Sequence, residues 1–182
     1  MSETVPAPTD SITLRTIRES DAEGYRACLD RVAAERRYLA FTAAPPLAEV
    51  RFYIKAMLQR DLPFIVAADA DDRVVGWCNI HVVPPSEHRG GFSHVGAVGM
   101  GLDAAWRGQG LGRRMLNEVF ERAGRAGIER VELQVYASNE SAVKLYRKFG
   151  FVTEGVKTRA RKIDGRYDDI IMMARLRPPQ KT

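Results

Sequence analysis

The sequence is poor in the residues that build disulfide frameworks and metal centres. It contains two cysteines, Cys28 and Cys78, and three histidines among 182 residues. Two cysteines this far apart in the chain form neither a disulfide framework nor a zinc-ligand pattern. We therefore expect a protein of a reducing, cytoplasmic compartment, without a metal ion.

Long apolar runs and concentrated basic segments are also missing. No run approaches the ~20 apolar residues that span a bilayer, and the first residues lack the basic and apolar regions of a secretion signal. The net charge is +5, but the lysines and arginines are dispersed and form no nucleic-acid-binding arm. The positive excess also suits a small polyphosphate ligand. We expect no membrane partner and no nucleic-acid partner.

The sequence has no internal repeat and no low-complexity linker that would mark a second domain. Its hydrophobic fraction of 45% and charged fraction of 28% are ordinary for a globular domain with a proper core. The first ten residues are rich in Pro, Thr and Ser and have little to bury. We predict a tail at 1–10, one domain at 11–177 and a short tail at 178–182.

Hydrophobic periodicity predicts the elements in the order β, α, α, β, β, β, α, β, α, β, β. Strands are expected at 12–17, 64–68, 74–83, 92–102, 131–135, 151–162 and 166–176, and helices near 22–33, 47–60, 110–123 and 139–149. Hairpins that lead into one β-α-β unit indicate an α/β fold of the mixed α+β kind. Its central sheet should be mixed and largely antiparallel, with about seven strands flanked by helices.

Glycines interrupt the fourth predicted strand and then dominate the turn after it. Gly96, Gly99 and Gly101 lie within the strand, where glycine often marks a bulge or the close approach of a ligand. The turn itself reads Arg107-Gly-Gln-Gly-Leu-Gly112 and leads into a helix. The first N–H groups of a helix have no internal partner and attract anions, most simply a phosphate.

Three phosphate-binding patterns compete for this turn. A P-loop needs Gly-Lys-Ser/Thr, which is missing here, and the glycine spacing is wrong for a dinucleotide fingerprint. The pattern Arg/Gln-x-x-Gly-x-Gly/Ala fits Arg107, Gly110 and Gly112. This pattern resembles the pyrophosphate-binding signature of the GNAT superfamily of acyl-CoA-dependent N-acyltransferases. The alternative is a strand–helix connection that merely tolerates glycine.

A second motif lies on the fourth predicted helix and reads Asn139-x-x-Ala142-x-x-x-Tyr146. Asn139 and Tyr146 are about two helical turns apart, so their side chains point the same way. In the GNAT superfamily the matching Asn binds the cofactor and the matching Tyr lies near the thioester sulfur. The resemblance thus implies that Tyr146 is the general acid for the departing thiolate. Alternatively, Tyr146 is only an aromatic residue on the apolar face of the helix.

The resemblance spans residues 12–176, and it implies a function and a set of contacts. Segments 92–103 and 165–176 look most like the bacterial L-amino-acid N-acetyltransferase branch. The implied reaction transfers an acetyl group from acetyl-CoA to the primary amine of a small molecule by direct attack, in a homodimer. A divergence of the fourth and fifth strands at a bulge would admit the pantetheine arm. The implied cofactor-binding residues are Met100, Gly101, Leu102, Arg107, Gly108, Gln109, Gly110, Leu111, Gly112, Arg113, Asn139 and Ala142.

The acceptor site and the general base are less defined by the sequence. Glu35, Tyr38 and Phe41 precede a loop and border a substrate pocket, or else this segment is a solvated helix end with Tyr38 and Phe41 packed into the core. His94 is a further substrate-binding candidate. The candidate bases are His81, His94, Glu35 and Glu87, or a chain of waters. A non-catalytic acyl-CoA sensor and a protein N-terminal or polyamine acetyltransferase are the alternative functions.

Overall fold

The computed structural model describes residues 11–82 and 90–177, which form one seven-stranded sheet and four helices. Glu87, most of the loop predicted after the third strand and both predicted tails lie outside the described residues. The strands are β1 Thr13–Thr16, β2 Phe64–Ala68, β3 Val74–Val82, β4 Val95–Leu102, β5 Arg130–Tyr136, β6 Val152–Ile163 and β7 Arg166–Leu176. The helices are α1 Ala22–Ala34, α2 Leu47–Gln59, α3 Leu111–Arg125 and α4 Glu140–Lys148. The predicted order of elements is confirmed.

The sheet has the order β1-β2-β3-β4-β5-β7-β6. Its neighbouring strands are antiparallel except for β4 and β5, which are parallel. The expectation of a mixed, largely antiparallel sheet of about seven strands is thus confirmed. The parallel pair arises because α3 crosses over between β4 and β5, as a β-α-β unit requires.

Each face of the sheet is covered by two helices, because alternate strand residues face opposite ways. In β2, Phe64 and Val66 pack with residues of α1 and α2, whereas Ile65 and Ala67 pack with residues of α3 and α4. All five residues of β2 are buried, which explains its unbroken apolar sequence. We call the two sides the α1/α2 face and the α3/α4 face.

The prediction that β4 begins at residue 92 was wrong. A 3₁₀ turn occupies Gly90–Phe92, and the strand begins at Val95. Just before it, the carbonyl oxygen of His94 accepts hydrogen bonds from the N–H groups of Glu129 and Arg130. The turn and its glycines therefore shift the start of β4 to Val95, where the chain first lies beside β5.

The glycines of β4 do not mark a bulge. The register between β3 and β4 is continuous from Gly76 opposite Leu102 to Val82 opposite Gly96, so the predicted bulge is absent. Instead, the glycines leave room for large side chains of β3. A Cβ added to Gly101 would overlap the ring of Trp77, which is buried among residues of α1 and α2.

We predict that Gly101→Ala lowers the free energy of unfolding by about 1–3 kcal/mol, because overpacking forces Trp77 to move. Gly91→Ala is the matched control, since a Cβ at Gly91 meets nothing within 4 Å and should change stability by less than about 0.5 kcal/mol. Urea unfolding of both variants measures the difference. Equal losses would contradict the packing explanation.

Candidate active site

A cavity of about 950 Å³ opens where β4 and β5 separate. The two strands pair only between Val95–Ala97 and Arg130–Glu132 and then diverge, although both continue for several residues. The divergence predicted between these strands is therefore present without a bulge. The cavity passes through the sheet, since Val32 and Tyr38 line it from the α1/α2 face and Gly112 and Tyr146 from the α3/α4 face.

The edge of β4 that faces the gap presents main-chain groups that are not paired with β5 beyond Ala97 in the described structure. The N–H of Asp103 donates to the carbonyl of Val75 at 2.9 Å, and alternate residues of an antiparallel strand bond to the same neighbour. The N–H of Gly101 therefore points to β3, whereas those of Met100 and Leu102 point into the gap. Of the implied cofactor-binding residues on β4, Met100 and Leu102 thus have N–H groups directed into the gap, whereas Gly101 does not.

The glycine turn places the start of α3 at the cavity wall. Gly108 and Gly110 have positive φ angles of 75° and 81° and line the cavity, and a Cβ at either would meet nothing within 4 Å. The N–H of Arg114 makes a helical bond to the carbonyl of Gly110 at 3.2 Å. The N–H groups of residues 111–113 precede that bond, so they lack an acceptor within the helix. This open cradle of amides fits a diphosphate.

Arg113 and Arg107, the two arginines assigned to the cofactor, occupy different surroundings. Arg113 is exposed and lines the cavity, where its guanidinium can face an anion. The Arg107 guanidinium instead donates two hydrogen bonds to the Glu35 carboxylate, at 2.7 and 2.5 Å, and two to the carbonyl of Leu102. It also lies over the ring of Tyr38, 4.6 Å from the centroid. The side chain of Arg107 therefore fastens the end of α1 to β4.

We predict that Glu35→Gln raises the KM for the acceptor several-fold and changes acetyl-CoA affinity by less than twofold. Loss of the charge-assisted pair frees Arg107 and loosens the segment of Tyr38 that forms the cavity wall. Glu49→Gln, on the exposed side of α2, is the control. Steady-state kinetics and calorimetry measure the two quantities, and a large loss of acetyl-CoA affinity would show that Arg107 serves the cofactor instead.

Tyr146 lies on α4 with its ring buried and its side chain in the cavity wall. Its ring packs edge-on against Phe151, with the centroids 5.6 Å apart. The hydroxyl has no hydrogen-bond partner among the residues that the structure describes. No side-chain oxygen there is both fully buried and unpaired, so the hydroxyl is accessible from the cavity that Tyr146 lines. Burial raises the pKa of Tyr146 well above its usual value, so the phenol keeps its proton at neutral pH.

Asn139 and Ala142, the other residues of the second motif, also line the cavity. The side-chain oxygen of Asn139 caps α4 by accepting from the N–H of Ala142 at 3.3 Å. The preceding residue, Ser138, instead donates its hydroxyl to Asp168. The side-chain oxygen of Asn139 also accepts from the Ser141 hydroxyl at 3.1 Å, so both of its acceptor positions are used and the amide nitrogen of Asn139 is left for a ligand.

Five predicted site residues do not line the cavity. Gln109 donates its side-chain amide to the carbonyl of Ala105 at 2.8 Å, and the side chain of Leu111 is 1% exposed in the core. Glu35 is held by Arg107. Phe41 is 52% exposed, and His94 is exposed before β4; the structure places both outside the cavity. Tyr38 does line it.

The cavity wall on β5 was not anticipated from the sequence. Val131, Leu133 and Val135 face the α3/α4 core, so Glu132, Gln134 and Tyr136 face the α1/α2 side, where they line the cavity with His81. The alternation Val-Glu-Leu-Gln-Val-Tyr was visible in the sequence. Which of its faces borders a cavity depends on where β4 and β5 separate.

A long-range clasp connects the turn between β6 and β7 to the end of α1. The guanidinium of Arg36 donates to both oxygens of Asp164 at 3.0 and 2.8 Å. Arg161 donates to the carbonyl of Arg36 at 2.6 Å and lies over the ring of Tyr136, 4.2 Å from its centroid. The hairpin thus reaches across to the same segment that Arg107 fastens from the other side.

Neither a metal cluster nor a spanning helix is found in the part of the chain that the structure describes. No group of three or more His, Cys, Asp and Glu side chains there is arranged to hold a metal ion. No helix among residues 11–82 and 90–177 is long and apolar enough to cross a bilayer.

A sheet that opens between its two parallel strands, with a glycine-lined helix start and a buried phenol at the opening, is the architecture of an acyl-CoA-dependent N-acetyltransferase. Residues 25–151 match the acetyltransferase (GNAT) family. The chain belongs to this family.

Individual relatives agree with the family assignment. The L-amino acid N-acetyltransferase AaaT of Escherichia coli is 27% identical over 162 residues, which are 88% of this chain and 97% of the relative. A GNAT-family acetyltransferase of Streptococcus pneumoniae superposes with a TM-score of 0.82 at 26% identity, covering 91% of this chain and 99% of that one. A phosphinothricin acetyltransferase of Sinorhizobium meliloti, solved in complex with AcCoA, gives 0.82 at 20% identity, with coverage of 91% and 88%, which shows the fold.

Proposed function

We propose that this enzyme transfers the acetyl group of acetyl-CoA to the primary amine of a small molecule, such as an amino acid or an analogue, by direct attack. One observation carries the proposal: Gly112 and Arg113 at the start of α3, Met100 on β4 and Tyr146 on α4 all line one cavity. The Escherichia coli relative, which is named for L-amino acids, supports the acceptor class.

The residues present fit acetyl-CoA. The N–H groups of 111–113 and the open space above Gly108 and Gly110 would hold the pyrophosphate, with Arg113 beside it. The N–H groups of Met100 and Leu102 would pair with the pantetheine arm as a neighbouring strand does. When bound, acetyl-CoA supplies an acetyl group activated as a thioester.

Two groups of the protein would carry the chemistry. The N–H of Met100 points into the gap, where it can donate to the thioester carbonyl oxygen and stabilise negative charge on it. Tyr146 holds a proton on its hydroxyl and can give it to the sulfur that leaves. The protein also brings the amine and the thioester together, which can contribute about 7–11 kcal/mol to lowering the barrier.

A thiol-release assay tests the proposal directly. Acetyl-CoA is incubated with the enzyme and with panels of amino acids, polyamines and peptides, and the acetylated product is identified by mass spectrometry. Release that depends on an amino acid or analogue supports the proposal. Release only with polyamines or peptide N-termini favours the alternative acetyltransferases, and tight binding of acetyl-CoA without release for any amine favours a non-catalytic sensor.

Two expectations stay predictions, one implied by the resemblance and one inferred from the cysteine content. The first is a homodimer, which light scattering coupled to size-exclusion chromatography tests. The second is a cytoplasmic location, which fractionation of the producing cells tests. Neither affects the assignment of the groups in the cavity, because every group named above belongs to one chain.

A further inference from the structure

We infer that His81 is the general base that removes a proton from the acceptor ammonium, and that Glu132 holds the ammonium beside it. This inference rests on the proposed function. Among the four candidate bases from the sequence, His81 lines the cavity. Glu35 is held by Arg107, His94 is not among the residues that line the cavity, and Glu87 lies outside the described residues.

Strand register places His81 and Glu132 on either side of one small residue. His81 is the cross-strand partner of Ala97, and Ala97 is the partner of Glu132. Directly paired residues point to the same face of a sheet, so the three side chains share the α1/α2 face. With strands ~4.8 Å apart, the methyl group of Ala97 leaves a recess between the imidazole and the carboxylate. This recess lies at the point where β4 and β5 begin to separate.

The hydrogen bonds around Glu132 leave one of its oxygens available. Arg130 donates through Nε to Oε1 of Glu132 at 2.7 Å, and its two Nη atoms donate to the carboxylate of Glu154. Oε2 of Glu132 has no donor among the described residues. Because one arginine neutralises only one of two glutamates, this corner of the cavity keeps a negative charge that suits an ammonium.

The charged and titratable groups near His81 come from several elements. Glu132 on β5, Glu154 on β6 and Tyr38 after α1 line the same cavity, and Arg60 after α2 donates to the carbonyl of Val82, next to His81. None of them is a cause of the shift at His81. Its side chain is exposed in the cavity wall, and desolvation of its inner part lowers its pKa below the usual ~6.5, so the imidazole can accept a proton at neutral pH.

The proton balance of this step is simple. An N–H bond of the ammonium breaks, the proton passes to a ring nitrogen of His81, and the electron pair stays on the substrate nitrogen as the attacking lone pair. The imidazolium then releases the proton to solvent through the accessible part of the side chain. Tyr146, which belongs to the α3/α4 core, lines the cavity from the opposite face of the sheet, so base and acid flank the reaction from the two faces.

The pH dependence of kcat/KM for the acceptor shows whether the ammonium loses its proton to a base on the enzyme or in solution before it binds. With His81 as base, the wild type should reach a plateau between the lowered pKa of His81, below ~6.5, and the pKa of the amine. His81→Gln should be slower by about 10²-fold at pH 7 and should rise with unit slope up to the amine pKa, because it can use only free amine. His94→Gln should keep the wild-type profile.

Two further measurements do not depend on turnover. Nuclear magnetic resonance of the free protein should give His81 a pKa below the ~6.5 of an unperturbed histidine, and titration with an acceptor amine should shift the His81 signals and leave those of His94 in place. Glu132→Gln should raise the acceptor KM about tenfold and keep the pH plateau. Thermal unfolding and acetyl-CoA calorimetry of each variant show that the fold and donor site persist.

The outcomes separate the inference from the proposed function. If the wild type acetylates an amine and His81→Gln keeps both its rate and its plateau, His81 is not the base and the acetyltransferase assignment stands. If no amine is acetylated by the wild type, the proposed function fails first. An amine that leaves the His81 signals unmoved would overturn the placement of the acceptor at Ala97.

Discussion

Tyr146→Phe is expected to lower kcat by about 10²–10⁴-fold, the usual contribution of a positioned general acid. The change removes one oxygen atom and keeps the ring that packs against Phe151. Since that hydroxyl makes no hydrogen bond to the described protein, its removal should leave the free energy of unfolding nearly unchanged. Acetyl-CoA affinity, measured by calorimetry, should also change by less than about threefold.

Tyr25→Phe is the matched control for this experiment. Tyr25 is as buried as Tyr146, and burial likewise raises its pKa, but it lies among residues of α1 and α2 outside the cavity. Its variant should keep wild-type turnover. Because the pKa of Tyr146 is raised, the wild type should show no loss of activity from phenol ionisation up to about pH 10. Wild-type turnover by Tyr146→Phe would remove this residue from the mechanism.

Gly110→Asp should weaken acetyl-CoA binding by on the order of 10²-fold. Aspartate tolerates the left-handed conformation of Gly110 better than most residues and is favoured at the start of a helix, so the fold should persist. Its carboxylate would project into the open space of the cavity. Repulsion of a nearby diphosphate would cost about 2–3 kcal/mol in a partly screened site.

Two variants isolate the charge and the position. Gly110→Asn has nearly the same shape without the charge, and it should weaken binding by about tenfold or less. Gly127→Asp places the same side chain at a glycine with a similar φ of 73° and open space, after the other end of α3, and should leave affinity unchanged. Calorimetry at two salt concentrations completes the test, since only the effect of Gly110→Asp should diminish with salt. Equal affinities for the Gly110→Asp and Gly110→Asn variants would show that no diphosphate binds there.

Local patterns were sufficient to predict most of the fold. The alternation in β5 and the apolar repeat of α4 are properties of a few consecutive residues, and both elements were found where the sequence indicated them. The glycine turn was also predictable, because glycines at the start of a helix leave its free N–H groups open to an anion. The first residues of β4 were predicted incorrectly, since the beginning of that strand depends on a turn and on contacts with residues that precede β5.

Contacts between distant segments could not be predicted in this way. Arg107 lies in the glycine signature, but its partner Glu35 is 72 positions earlier in the chain, and nothing local links the two. The sequence of β4 alone suggested that Gly101 marks a bulge or the approach of a ligand. Glycine is needed at this position because the Trp77 ring on the neighbouring strand occupies the space of a Cβ. The recess over Ala97 could be predicted only if the register of β3, β4 and β5 were known together.

The brief junction of β4 with β5 also has a mechanical consequence. Among the described residues, only three residue pairs join the β1–β4 half of the sheet to the β5–β7 half in a main-chain ladder, so the seam between the halves is short and the α3/α4 core supplies the other contacts across it. A donor molecule in the gap would form hydrogen bonds with main-chain groups that β4 and β5 do not make to each other. Amide hydrogen exchange should then slow on both sides of the seam when the donor binds, and the loaded enzyme should unfold as a more cooperative unit than the free one.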